Sequence, residues 1–376
     1  MKIALVSPYD LAVPGGVNTH VRRLAQNFTG MGHDVRIIGP SSDESPPTEP
    51  GVIVIGKPRG IPASGSVARI TLSFRLSRRV KEVLAEEQFD IVHVHEPLMP
   101  ILPIQFLRFS ESVNVGTFHA AKEGGNRLYS YTRTVLRRFF RKLDGKIAVS
   151  PAAELLVSRY FAGYYNIIPN GIELARFTGN PCPIPEFRDG KDNVLFVGRM
   201  EKRKGLAYLL RAWPHVKREL PNTRLIVVGP GRREGYERYV RKAELEDVVF
   251  TGGVSETELP RYYQTADVCC FPATGNESQG YVLLEAMASG KPVVASNIEG
   301  YASVVTHGVE GLLTLPKDSD AIALSLVHIL ADENMRRSMG ESARLSADNY
   351  SWDRIARKVM SYYERLLYEH GMSRGA

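Results

Sequence analysis

Short β-rich runs and helix-spaced apolar residues alternate along this chain. That alternation narrows the folds open to it more than any other feature. Lys2–Ser7 reads as a strand, and Val17, Val21, Leu24, Ala25 and Phe28 then recur at helical spacing. Asp34–Gly39 is a second strand, and Ile91–His95, Asn114–Phe118 and Gly145–Val149 continue the series. Strand–helix–strand order builds a parallel, doubly wound sheet, an α/β fold.

The pattern restarts after the Pro- and Gly-bearing stretch Gly179–Gly190. Asn193–Arg199 is a strand, Leu206, Leu209, Leu210, Trp213 and Val216 line a helix, and strands follow at Arg224–Gly229, Val248–Gly252, Val268–Phe271 and Pro292–Ser296. At 376 residues the chain exceeds the size at which one core stops growing, so two domains are expected. Ser41–Pro50 is rich in Ser, Pro and Glu and reads as a mobile loop. The last helix, from about Ser351 to Glu369, sets Ile355, Val359, Tyr362 and Leu366 on one face. Periodicity leaves open which domain it covers.

Composition excludes several classes. No apolar run reaches the ~18 residues that cross a bilayer. MKIALVSPYD has too short an apolar stretch for a secretion signal and reads as the first strand. Cys182, Cys269 and Cys270 have neither disulfide-framework nor metal spacing, so a reducing cytoplasm is expected. The first 180 residues hold 22 Lys+Arg against 15 Asp+Glu, which accounts for the whole net charge of +7. An excess confined to one half suits an anionic partner or simply keeps the protein soluble.

Four constellations carry chemistry. Pro14-Gly15-Gly16-Val17 joins strand one to helix one, where Gly16 lets backbone approach a ligand beside a helix N-terminus. It is not GxGxxG, and a Pro-Gly-Gly turn alone is more often structural. Arg199 ends a strand and Lys204 precedes a helix, a placement that suits a diphosphate outside the carboxyl ends of a parallel sheet. In ESQGYVLLEA, Glu277 lies in a loop, Gly280, Tyr281 and Val282 open a helix, and Glu285 sits about one and a half turns in. The first-turn amides face an anion, while Glu285 suits ribose hydroxyls and Glu277 a sugar. A capped helix with one satisfied buried glutamate is the alternative. His119 ends the strand at Phe118, where a structural role is as frequent as a functional one. His93 and His95 share a strand face next to Glu96, but no further ligand has supporting spacing, and a metal site is rejected.

Together these pieces resemble the retaining glycosyltransferases of family four, of GT-B fold. The matching segments are PGGV at Pro14–Val17, FH at Phe118-His119, PNGIELARF at Pro169–Phe177, GRMEKRKG at Gly198–Gly205, VVGPG at Val227–Gly231, FTGGV at Phe250–Val254 and ESQGYVLLEAMASGKPVVAS at Glu277–Ser296. SPYDLAVPGGVNTHV, GSVAR at Gly65–Arg69, HVHEP at His93–Pro97 and YSWDRI resemble its phosphatidylinositol-mannosyltransferase branch in particular.

The resemblance implies two Rossmann-like domains facing a cleft. Residues 1–178 form the acceptor and membrane side, 179–351 bind the nucleotide sugar, and a helix over 352–370 packs back on the first domain. It implies that Gly16, Arg199, Lys204, Gly252, Val254, Glu277, Gly280, Tyr281, Val282 and Glu285 hold the donor. Tyr9, Asn18, Arg69 and His119 hold the acceptor, and His119, Arg199, Lys204 and Glu277 serve the chemistry. No carboxylate stands out as a nucleophile, and a front-face displacement assisted by a donor phosphate oxygen is the usual proposal for such enzymes. No metal and no other cofactor are expected beyond the nucleotide-sugar co-substrate. The implied reaction moves mannose from GDP-mannose to phosphatidylinositol at the inner face of the cell membrane, with the protein bound peripherally to anionic lipid. Two positions depart from the pattern: Gln279 stands where the family usually has Phe, and Ala120-Ala121-Lys122-Glu123 replaces a hydroxyl-rich run. A glucosyl- or galactosyltransferase using a UDP-sugar on diacylglycerol or a polyol is therefore the rival within the class. A sugar-nucleotide epimerase or hydrolase of the same fold is the rival outside it. No aromatic–basic platform suits nucleic acid, which is not expected as a partner.

The membrane expectation rests on residues 73–87. Phe74, Leu76, Val80, Val83 and Leu84 make an apolar face, Arg75, Arg78, Arg79 and Lys81 fill the first half, and Glu82, Glu86 and Glu87 the end. This order opposes the helix dipole at roughly 0.3–1 kcal/mol per charge, and the one Arg78–Glu82 pair offsets little. Anionic lipid would account for the bases. A second basic stretch runs from Arg127 to Lys142.

Overall fold

The computed structural model describes residues 1–43, 45, 49–63, 66–179 and 181–375. Glu44 and residues 46–48 of the Ser41–Pro50 loop, Gly65 of the GSVAR segment and the side chain of Phe74 lie outside the described residues. The chain divides into two compact units, residues 1–171 with 352–376, and residues 172–351.

The first unit is built on β1 (Lys2–Val6), β2 (Asp34–Gly39), β3 (Val52–Val54), β6 (Ile91–His95), β7 (Val113–Phe118), β8 (Gly145–Ala148) and β9 (Asn166–Ile167). They pair in parallel in the order β3-β2-β1-β6-β7-β8-β9. Ile3, Ala4, Leu5 and Val6 are fully buried, as a central strand covered on both faces requires. The helices are α1 (Gly16–Gly30), α2 (Ser77–Glu87), α3 (Leu102–Phe109), α4 (Arg127–Phe140), α5 (Pro151–Ser158) and the chain's final helix, Trp352–Gly375. Val80, Val83, Phe106, Phe139 and Phe140 pack in one core with Ala4, Val6, Val92 and Val94. Elsewhere Tyr363 of the final helix lies 5.7 Å from Phe28 and 5.7 Å from His93, ring centre to ring centre. An antiparallel hairpin of β4 (Pro58–Ala63) and β5 (Ser66–Thr71) stands apart from the sheet.

The second unit has β10 (Asp192–Val197), β11 (Thr223–Val228), β12 (Val248–Gly252), β13 (Val268–Phe271), β14 (Val293–Ser296) and β15 (Gly311–Thr314), parallel in the order β12-β11-β10-β13-β14-β15. Its helices are α6 (Leu174–Thr178), α7 (Leu206–Glu219), α8 (Glu234–Lys242), α9 (Leu259–Thr265), α10 (Tyr281–Ala288), α11 (Glu299–Ala302), α12 (Ser319–Ala331) and α13 (Glu333–Ala347); the final helix is α14. Two cores form: Trp213, Leu209 and Leu326 anchor one, and Leu283, Leu284, Met287 and Ala343 the other.

The domain boundary moves from residue 178 to residue 171. Ile172 donates its N–H to the Tyr350 carbonyl at 2.7 Å, and Phe177 is buried with its ring 5.8 Å from Tyr263. Residues 172–178 therefore belong to the second unit's core. The Gly179–Gly190 stretch is likewise tied into that unit, where the Ile184 N–H bonds Thr265 Oγ1 at 2.8 Å and Asp189 pairs with Arg224.

Strand order reverses between β1 and β6 in one sheet and between β10 and β13 in the other. Ligands of doubly wound sheets bind outside the strand ends at such reversals. Gly16 follows β1 at the first reversal, and Arg199 and Glu277 follow β10 and β13 at the second.

Candidate active site

In the second unit the carboxyl ends of β10, β11 and β12 are laced by backbone. Gly198 N–H bonds Val228 O at 2.9 Å, and Gly229 N–H bonds Gly252 O at 2.8 Å. A Cβ on Gly229 would lie 2.0 Å from the Gly198 carbonyl oxygen, so only glycine allows this approach. Arg199 follows β10 with its side chain 53% exposed and pairs with Glu201 at 3.2 Å. A one-turn helix, Lys202–Lys204, then brings two cations onto one carboxylate. Arg203 pairs with Glu277 Oε1, and Lys204 Nζ sits 2.7 Å from the same oxygen. Arg203 Nε also meets Glu201 at 2.9 Å. The Glu277 side chain is only 9% exposed. Three cations thus stand against two carboxylates, a net positive charge at a strand-order reversal. Sequence reasoning singled out Arg199, Lys204 and Glu277 but missed Glu201 and Arg203. The signal lay in the adjacent Glu-Lys-Arg-Lys run.

The loop bearing Glu277 leads into α10. Gly280 begins that helix at φ 88°, where a Cβ would lie 2.6 Å from the Tyr301 ring, and no side chain caps it. The positive end of α10 therefore lies close along the chain to the Lys204–Glu277 pair. Tyr281 and Val282 in its first turn are half-buried, and Gln279 just before them is buried. Glu285 is tied to Tyr263, whose hydroxyl donates to Oε2 at 2.7 Å. Burial pushes the Glu285 carboxyl up, while the Tyr263 hydrogen bond and the charges of Arg176 and Lys204 pull against it. Gly252 ends β12 at φ 78°, and Val254 two residues on is half-buried in the α10 core.

In the first unit, Gly16 opens α1 after Gly15, again with no side-chain cap. Asn18 is buried and committed to the preceding loop. Its amide donates to Asp10 O at 2.7 Å and Val13 O at 3.1 Å, and its oxygen accepts from Ser7 Oγ at 2.8 Å. It shapes the Gly15-Gly16 turn. Tyr9 is half-buried, and burial first and the Glu96 charge second push its hydroxyl up. Arg69 is exposed on β5, and its carbonyl accepts from Asp10 N–H at 2.9 Å.

His119 belongs to a knot of histidines. Its Nε2 lies 2.9 Å from His95 Nδ1, and its ring centre is 4.9 Å from that of His20. His20 Nδ1 in turn meets Asn170 Oδ1 at 2.9 Å. His93 and His95 do share a face, with ring centres 4.4 Å apart. His93 is used by Tyr363 Oη at 2.5 Å and Thr117 Oγ1 at 2.6 Å. Burial holds His20 down at about 4 and His93 at about 3, and pushes His95 and His119 in the same direction. Glu96, which sequence reasoning weighed only as a metal ligand, sets the His119 backbone. Its Oε1 accepts the amides of His119 and Ala120, each at 2.8 Å. Burial pushes its carboxyl up to about 7 against those two bonds.

His93, His95 and Glu96 do not converge. Among the described residues, His20, His95 and His119 are the trio whose nitrogens lie within 4.8 Å of one another. As they stand, His95 and His119 bond each other and His20 bonds Asn170, so a metal would have to break those contacts.

The bases of α2 are partly neutralised. Arg78 pairs with Glu82 at 2.9 Å, and Arg79 reaches Glu82 at 3.4 Å and Glu86 at 3.6 Å. Lys81 Nζ lies 4.6 Å over the Phe109 ring, and Arg75 is exposed. The single pair counted from sequence becomes three, which offsets more of the unfavourable charge order. Among the described residues no helix is long and apolar enough to cross a membrane.

Two Rossmann-like units, each with polar groups gathered at its strand-order reversal, define the GT-B class of glycosyltransferases. Residues 14–176 match Glycosyltransferase Family 4, and residues 183–346 match Glycosyl transferases group 1. A phosphatidyl-myo-inositol mannosyltransferase of Mycolicibacterium smegmatis is 35% identical over 97% of this chain and 94% of its own. One of Propionibacterium freudenreichii is 32% identical over 100% and 98%. The solved sucrose-phosphate synthase of Thermosynechococcus elongatus superposes with a TM-score of 0.78 at 25% identity, covering 98% of this chain and 99% of that one. The chain belongs to glycosyltransferase family four and is a glycosyltransferase.

Proposed function

We propose that the protein transfers mannose from GDP-mannose to the inositol of phosphatidylinositol, retaining anomeric configuration, while bound peripherally at the inner face of the cell membrane. The observation that carries the donor half is the pairing of Arg203 and Lys204 on Glu277, in the loop that leads into α10 at Gly280. A departing nucleoside diphosphate gains negative charge as the sugar–phosphate bond breaks. Arg199, Arg203, Lys204 and the α10 amides stabilise that charge without reorganising. Glu277, already oriented by its cations, accepts hydrogen bonds from sugar hydroxyls, and Glu285 does so from ribose. The acceptor oxygen bonds to the anomeric carbon, and its proton passes to a donor phosphate oxygen. Mannose and phosphatidylinositol are supported by what the mannosyltransferase relatives are called.

Gln279 is buried where the family usually carries Phe, which leaves the donor sugar open and makes a UDP-hexose donor the second reading. A panel of GDP-mannose, UDP-glucose and UDP-galactose, each with phosphatidylinositol, diacylglycerol and free inositol, separates the two. Mannosyl transfer to phosphatidylinositol is the expected product. Transfer only from a UDP-sugar would replace the donor, and transfer only to free inositol would remove the lipid.

A further inference from the structure

One charge interrupts an otherwise apolar α10. Leu283, Leu284, Ala286, Met287 and Ala288 are buried, and the half-buried Glu285 is the single charged residue between Tyr281 and Ala288. The side chain that holds it comes from α9. Tyr263 is fully buried there, in one core with Phe177, Leu283 and Leu284. Its hydroxyl carries one proton and has two oxygens near it, Glu285 Oε2 at 2.7 Å and the Val282 carbonyl at 3.4 Å. The shorter contact, to a carboxylate, is the stronger. Among the described residues no other hydrogen bond reaches this carboxylate, so Oε1 is left over.

A glutamate side chain has three rotatable bonds and several ways to place its two oxygens. One short bond from a ring fixed in the core selects among them. Packing alone does not call for that hydroxyl. Phenylalanine would fill nearly the same space beside Phe177, 5.8 Å away between ring centres, and would leave no polar atom to satisfy. Burial pushes the Glu285 carboxyl up, and the Tyr263 bond is the largest effect pulling it back toward the ionised, acceptor-only form. We infer that Tyr263 is a positioning residue: it anchors Glu285 Oε2 and leaves Oε1 for the ribose hydroxyls, and so sets the preference for a ribonucleotide from within the core, without touching the ligand. This rests on the reading of Glu285 as the acceptor of ribose hydroxyls and names what makes that acceptor selective.

Calorimetry on the full chain tests this. Whichever of GDP and UDP binds wild type more tightly is compared with its own 2′,3′-dideoxy form. Wild type should prefer the ribonucleotide by about 30-fold, as expected when hydroxyls bond a charged acceptor. Tyr263→Phe should bind the ribonucleotide about tenfold more weakly but the dideoxy form as wild type does, because that form makes no use of Glu285. Replacing Tyr263 by 4-fluorophenylalanine fills the space of the hydroxyl without a proton to donate, and should give the same result as Tyr263→Phe. Glu285→Ala should abolish the preference, and adding Tyr263→Phe to it should change the preference no further. Suppose instead that Tyr263→Phe keeps the wild-type preference, weakens both nucleotides alike, or is rescued by the fluorinated ring, while Glu285→Ala loses the preference. Tyr263 then serves only the packing of the core, and the inference falls with the ribose reading intact. If wild type shows no preference, or Glu285→Ala retains it, the ribose reading has failed and the inference fails with it.

Discussion

At the scale of residues, a single carboxylate, Glu277, organises the proposed donor site. It is nearly buried and takes two cations on one oxygen, so removing either leaves a charge poorly compensated. Lys204→Ala should cost both turnover, by about 10²–10³-fold, and a measurable part of the melting temperature. Arg199 is half in solvent and its pairing with Glu201 at 3.2 Å is therefore screened, so Arg199→Ala should lose comparable turnover at a nearly unchanged melting temperature. Equal loss of stability by both variants would count against a catalytic placement of Arg199. In the first unit His20 and His93 stay neutral down to about 4 and 3, whereas the unfolded chain takes up those protons near pH 6.5. The unfolded state binds more protons below 6.5, so this unit loses stability as pH falls from 6.5 toward 4. His95 and His119 add in the same sense. Glu96 opposes them. Raised to about 7, it holds a proton that the unfolded chain gives up near 4.3, so it contributes stability at low pH that fades as pH climbs to 7. Four histidines outweigh one glutamate, and the unfolding temperature should be several degrees lower at pH 5 than at pH 7. Trp352, 5.1 Å from His20, is a convenient fluorescent reporter of that transition.

Short loops between elements carry the site, and a few glycines hold them in place. Gly300, in α11, lies so close to the Glu277 loop that a Cβ would fall 2.1 Å from the Glu277 carbonyl oxygen. Gly300→Ala should push that loop away from Lys204 and weaken donor binding at least tenfold, read by calorimetry with a nucleoside diphosphate. Gly235→Ala in α8 meets nothing within 4 Å and should leave binding intact. The core strands were legible because β1, β6, β7, β10, β11 and β13 are apolar runs of parallel-sheet type with helical spacing between them. The hairpin β4–β5 was not. Pro58, Gly60 and Pro62 break every strand signal, and pairing with a neighbour overrides them. His20 was hidden because it sits within the apolar stripe of α1, where a histidine looks like one more buried side chain. Arg203 was hidden because only a one-turn helix, invisible to periodicity, aims it at Glu277. Glu96 takes φ 48° to reach two amides, a conformation no spacing rule anticipates.

For the whole molecule, the second unit is an insertion. The chain leaves the first unit after Gly171 and returns at Trp352, and the inserted segment closes on itself where Ile172 pairs beside Ser351. Arg199, Glu201, Arg203, Lys204, Glu277 and Glu285 all lie within residues 172–351. That fragment alone should therefore fold and bind a nucleoside diphosphate within about tenfold of the full chain. Loss of all binding would mean the first unit supplies donor contacts that matter energetically. The return of the chain also sets an order in time. Trp352, Tyr362 and Tyr363 complete the first unit, giving His93 and the Lys146 amide their partners, yet the ribosome makes them last. At roughly 5–20 residues per second, the sheet finished near residue 171 waits about 10–40 s for its covering helix while a complete second unit is synthesised in between. During that interval Phe28, His93 and their neighbours face water. Nascent chains stalled at Ser351 should be cut by protease in the first unit and spared in the second, so a chaperone that meets this protein at birth meets it there.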